Sequence, residues 1–131
     1  MSDLLKTLQN MGRATSELKD YLTIQAPSKV ERAGIIQGFE FCYELFWKAF
    51  QKKAASEGLI VGSPKQSIKS AFAMGIIKDE ALWLKMIDDR NLTVHTYNEA
   101  LSIEIYLRVR SLYAKEFDRC LADLKSRINE P

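Results

Sequence analysis

Histidine occurs once in this sequence and cysteine twice, too few to assemble a four-ligand zinc-type site from nitrogen and sulfur alone. Both cysteines, Cys42 and Cys120, lie inside long apolar helical patterns and read as reduced core thiols. Charge of one sign is also lacking. Nineteen basic and 17 acidic residues leave a net charge of +2, too even a balance to mark a nucleic-acid-binding surface by itself. No uncharged apolar run approaches the roughly 18 residues that span a bilayer. The opening Met1-Ser2-Asp3-Leu4-Leu5-Lys6 has neither the charged n-region nor the continuous apolar h-region of a secretory signal. A cytoplasmic location is therefore the expectation. No segment alternates cleanly enough for a strand, and there is no repeat, linker or low-complexity tract.

What is present is helical periodicity. The 131 residues suit one domain, expected over 1–131. Leu4, Leu8, Met11, Leu18 and Leu22 recur at three- and four-residue steps, predicting a helix from about Ser2 to Thr23. It ends before Ala26-Pro27, since a residue preceding proline is pushed out of the α region. Ser28 and Glu31 read as a capping box opening a second helix, from about Lys29 to Ser56, that stops at Gly58. The middle of that helix is apolar nearly all round, from Ile35 to Phe50. Burial on more than one face is implied, and in so short a chain a subunit interface would supply the second.

Ser63, Pro64 and Gln66 supply a cap, a first-turn proline and an N3 partner for a short helix ended by Gly75. Asp79 caps a fourth helix that fades near Asn91. Thr96 and Glu99 offer another capping box, after which one helix is expected from about Asn98 to Ile128. The fold class is all-α: an antiparallel four-helix up-and-down bundle with an extra short helix.

Chemistry concentrates at the junction Arg90-Asn91-Leu92-Thr93-Val94-His95-Thr96-Tyr97. Arginine offers a planar donor fork for phosphate oxygens. Histidine, with an ordinary pKa of about 6.5, exchanges protons near neutral pH. Tyr97 adds a hydroxyl, and Asn91 can bond the loop backbone or a ligand. Such a set suits phosphodiester cleavage without a metal or cofactor. The plainer reading stands beside it: many helix ends carry an Arg and a His, Arg90 could pair with Asp88, Asp89 or a neighbouring helix, and His95 could cap a helix end.

The run Arg90-x4-His95-x-Tyr97, with Asn91 after the arginine, resembles the signature of HEPN-domain proteins. More narrowly, the chain is similar to the nucleotidyltransferase substrate-binding proteins, the partners of minimal nucleotidyltransferases. The likeness extends over Gly38-Phe39-Glu40-Phe41-Cys42-Tyr43-Glu44-Leu45-Phe46-Trp47-Lys48, Ser63-Pro64, Ile68-Lys69-Ser70-Ala71-Phe72 and Trp83-Leu84-Lys85-Met86-Ile87-Asp88-Asp89-Arg90-Asn91, from about Leu4 to Leu124. Val94 departs from it, standing where close relatives are expected to hold serine. The resemblance implies a helical homodimer whose two Arg/His segments face each other. It implies a metal-independent ribonuclease in which His95 moves protons, Arg90 holds the phosphate and Asn91 supports the loop. Tyr97 matches the position that the partner nucleotidyltransferase modifies with AMP, which would make a toxin–antitoxin pair.

Further residues invite two readings each. Glu44 and Lys48 could form an ordinary i,i+4 pair or line the dimer cleft. Lys48, Lys52 and Lys53 are a solvated face or a phosphate-attracting cluster. Trp47 and Trp83 are core or interface anchors, or base-stacking platforms. Three functions follow: a ribonuclease at Arg90/His95, a non-catalytic subunit that recognises the nucleotidyltransferase's substrate, and a purely structural dimerisation module.

Overall fold

The computed structural model describes residues 2–128. Its elements are α1 (Ser2–Tyr21), α2 (Lys29–Ser56), α3 (Pro64–Ala73), α4 (Glu80–Leu92), a 3-10 turn (Thr93–His95), α5 (Glu99–Arg108), a π turn (Val109–Tyr113) and α6 (Ala114–Ile128). No strand occurs among the described residues, and none of the helices is long and apolar enough to cross a membrane.

The expected caps set most of the helix ends. The Ser28 hydroxyl accepts from the Glu31 amide while Glu31 accepts from the Ser28 amide, a complete capping box. Ser63 and Asp79 accept from the amides of Gln66 and Leu82. Gly58 and Gly75 take the left-handed conformation past the ends of α2 and α3, φ +84° and +76°, where a side chain would be strained.

The cross-bundle bonds define the directions. Lys52 of α2 reaches Asp3 and Thr7 of α1, while Gly38 sits against Leu18 and Tyr21, so α1 and α2 run antiparallel. Thr93, just past the end of α4, reaches Glu40, and Trp83 near its start packs tilted against Phe46 and edge-on against Phe50, so α4 also opposes α2. Arg32 bonds Ser102 and Phe46 stacks on Phe117, so α5 and α6 run along α2. Alternating directions make the up-and-down bundle anticipated from the sequence, with α3 as the short extra helix.

Helix α2 is the centre. Phe39, Phe46, Phe50, Trp83, Tyr113 and Phe117 form one aromatic cluster, stacked in part and edge-to-face in part, with ring centroids as close as 4.8 Å, between Phe46 and Phe117. Such pairs contribute about 0.5–1.5 kcal/mol each beyond area burial. The all-round burial expected of α2 is not complete: Leu45 and Trp47 are half-buried, and Phe41 is 64% exposed.

Two expectations are corrected. Thr96 does not cap α5. Asn98 does, accepting from the Leu101 amide, because Thr96 closes the end of the 3-10 turn, its hydroxyl donating to the Thr93 carbonyl. The last helix is not uninterrupted: the π turn divides α5 from α6.

Candidate functional site

Helix α4 ends where α2 passes, and that crossing places Arg90. The Arg90 Nη1 lies 3.3 Å from Glu40 Oε2, and Nε lies 3.7 Å from Glu44 Oε1. Of the partners open to Arg90, the neighbouring helix is the one it takes. The Thr93 hydroxyl ties this pair to the turn: it donates to the Arg90 carbonyl (2.7 Å), accepts from Nη1 (3.3 Å) and lies 3.0 Å from Glu40 Oε2. Arg90 Nε is buried and has no hydrogen-bond acceptor in range. The guanidinium is thus held by charge with Nε sealed and unbonded, a costly state for a buried donor, and an anion can meet only the third of the side chain that stays exposed.

From Thr93 the 3-10 turn carries the chain out to solvent. His95 is exposed and Tyr97 is 79% exposed. The Tyr97 hydroxyl lies 3.4 Å from His95 Nδ1, with the two rings edge to face at 5.8 Å. A hydroxyl beside an imidazole can pass its proton to that nitrogen. The His95 carbonyl accepts from the Asn98 amide, which closes the loop onto the start of α5. Asn91 is exposed on the last turn of α4.

The other candidates separate. Glu44 joins the site: besides facing Arg90 it accepts from the Trp47 indole at 3.1 Å. Lys48 does not pair with Glu44 in the structure; it is exposed, its ammonium 5.9 Å from the Trp47 ring. The basic cluster is largely spent within the chain, since Lys52 pairs with Asp3 at 3.3 Å and Lys53 with Glu57 at 3.4 Å. Trp83 is a core anchor with no exposed surface, its indole donating to Glu116 at 2.7 Å. Burial pushes the Tyr43 hydroxyl up to about 12, with Glu44 adding to the shift and Arg90 opposing it.

Behind this layer lies a set that sequence reasoning passed over. Asp89, the residue before Arg90, is fully buried. It accepts from Arg108 Nε at 2.7 Å, from Arg108 Nη2 at 2.9 Å and from the Tyr113 hydroxyl. Burial and then the bond to Asp89 raise the Tyr113 hydroxyl above its ordinary value, and the same carboxylate raises Arg108. In sequence, Asp89 looks like one of three adjacent solvated charges. No spacing signal marks it.

Set beside known proteins, the chain matches the family described as "Nucleotidyltransferase substrate binding protein like" over residues 6–126. A Haemophilus influenzae protein named "Probable ribonuclease HepT" is 32% identical over 82 residues, 59% of this chain and 56% of that protein, so the chain spans little more than half of that relative. A solved structure from Thermus thermophilus superposes with TM-score 0.76 at 37% identity, covering 92% of this chain and 99% of that one. A second, from Haemophilus influenzae, is described as revealing the fold of a substrate binding domain of a nucleotidyltransferase. It gives TM-score 0.69 at 24% identity, over 95% and 98% of the two chains, and bears on the fold alone. With the family's pattern covering nearly its whole length, this chain belongs to the nucleotidyltransferase substrate-binding-protein-like family.

Proposed function

We propose that the chain works as a homodimeric, metal-independent ribonuclease, the toxin partner of a minimal nucleotidyltransferase that silences it by AMP transfer to Tyr97. The family implies the nucleotidyltransferase partner. One observation carries the reading: an exposed imidazole and an exposed phenol lie 3.4 Å apart on a turn that hangs from the carbonyl of an incompletely bonded arginine.

In the cleavage step the ribose 2′-oxygen bonds to phosphorus and the bond to the 5′-oxygen breaks. The proton of the 2′-OH passes to an imidazole and the leaving 5′-oxygen gains one. A single chain offers one histidine, so a pair of chains supplies both the base and the acid. Arg90 holds the phosphate and the charge that develops on it, and Asn91 supports the loop. The products are a 2′,3′-cyclic phosphate and a 5′-hydroxyl. In the silencing step the Tyr97 oxygen attacks the α-phosphorus of ATP on the nucleotidyltransferase, pyrophosphate leaves, and the phenolic proton goes to a base. The AMP adds bulk and negative charge beside His95, and the RNA backbone is repelled.

A second reading has its own support. Glu40 and Glu44 already face Arg90, and Lys52 and Lys53 are paired within the chain, which suits a non-catalytic subunit that recognises the nucleotidyltransferase's substrate. The deciding measurement is cleavage of transfer and messenger RNA in EDTA by the purified protein, with Arg90→Ala and His95→Ala in parallel. Cyclic-phosphate ends that vanish in both variants support the ribonuclease. Intact RNA with a folded wild-type dimer refutes it in favour of the binding subunit.

A further inference from the structure

We infer that Asp89, gripped by Arg108 and Tyr113 across the π turn, is the positioning residue of the Arg90/His95 segment. The inference rests on the reading of that segment as the working site.

Residues five apart on an α-helix, at 3.6 per turn, lie on well-separated sides. Arg108 and Tyr113 are five apart. A π turn, with its i→i+5 bonds, is wider by about one residue and brings such positions back towards one side. The turn Val109–Tyr113 fills the interval between the two donors. Both therefore reach one carboxylate on α4, Arg108 with two guanidinium nitrogens and Tyr113 with its hydroxyl. Tyr113 is itself fixed, its ring buried and stacked on Phe39 at 5.2 Å. A π turn costs regular hydrogen bonding, and single π turns concentrate where a fold has a task for them.

The path from Asp89 to the site is short and covalent. Asp89 sits in the last full turn of α4, so its grip fixes the backbone of Arg90. The Arg90 carbonyl in turn accepts both the amide and the hydroxyl of Thr93. Thr93 begins the 3-10 turn that ends at His95. The exposed loop thus hangs from a carbonyl whose position is set by a buried, fully bonded carboxylate. Among the described residues no hydrogen bond from another element reaches the His95 or Tyr97 side chain, so the root of the loop is what orients them.

The test compares Tyr113→Phe, which removes one hydroxyl and keeps the ring, with Asp89→Asn and Arg108→Lys in the full-length protein. Ile68→Val, a core truncation on α3, serves as the control for stability loss. Two readouts run together: the NMR resonances of the His95 and Tyr97 rings, and RNA cleavage resolved into kcat and KM. Folding is checked by circular dichroism. The expected result is displaced His95 and Tyr97 resonances in Tyr113→Phe and Asp89→Asn, a kcat lowered at least tenfold with KM nearly unchanged, and partial recovery in Arg108→Lys relative to Asp89→Asn. Ile68→Val should move neither readout. Folded variants with unmoved ring resonances would overturn the inference. If wild-type protein cleaves no RNA, the ribonuclease reading fails alone, and the resonances still decide the role of Asp89.

Discussion

Asp89 and Arg90 are neighbours in sequence with opposite charges and opposite fates. Asp89 turns towards α5 and α6, is wholly buried, and accepts three hydrogen bonds. Arg90 turns towards α2, keeps a third of its side chain exposed, and leaves Nε unbonded although two carboxylates stand near. A buried charge survives only when its partners are complete, whereas a functional charge must keep something to offer. On the proposed function, one helix end is divided into an anchor and an instrument.

The most damaging single change removes the anchor. Asp89→Ala leaves Arg108 and the Tyr113 hydroxyl without their acceptor, and losing one partner of a buried pair costs about 3–5 kcal/mol. Arg108 is partly exposed, so the lower end is expected, with a fall in Tm on the order of 10 °C in thermal denaturation.

Alkaline pH loads the buried side next. Burial pushes Cys42 up to about 12 from 9.0 and Tyr43 to about 12 from 10.0, and raises Tyr113 as well. Each of these groups is held neutral in the folded chain. Their contribution is complete below the unfolded values of 9 to 10 and is lost as pH climbs towards 12. The urea midpoint should therefore hold to about pH 9 and decline above it, and Cys42→Ala should make the decline shallower without moving its onset, because burial raises the Cys120 thiol from the same unfolded value.

On the instrument side the stability effects shrink. Glu40→Gln with Glu44→Gln removes two half-exposed carboxylates, and the stability should change by no more than about 1 kcal/mol in urea denaturation. Freed of them, Arg90 should bind RNA several-fold more tightly in a filter-binding titration at low salt. Unchanged or weaker binding would mean that the carboxylates orient the guanidinium and do not compete for it.

Much of this architecture was legible in the residues. Ser28, Glu31, Ser63, Pro64, Asp79, Gly58 and Gly75 mark helix ends through local chemistry that needs no tertiary contact. Arg90, His95 and Tyr97 stood out by type and spacing. The π turn left only a faint trace: Ile105, Val109, Tyr113, Phe117 and Leu121 recur every four residues, a step slightly longer than the 3.6 of an α-helix, and each spacing taken alone reads as ordinary helix. Asp89 hid among adjacent charges, and the Glu40–Thr93 link joins residues 53 apart that only the fold brings together. Thr96 misled for a related reason: its hydroxyl had a nearer use at the end of the 3-10 turn.

The two tryptophans divide along the same line, and that gives the protein a built-in optical gauge. Trp83 is sealed in the core, while Trp47 is half-buried with its indole on Glu44, the carboxylate that faces Arg90. A dissolved quencher should reach Trp47 and spare Trp83. Any anion that draws Arg90 away from Glu44 should then register as a change in the accessible fraction of the emission, read without a label.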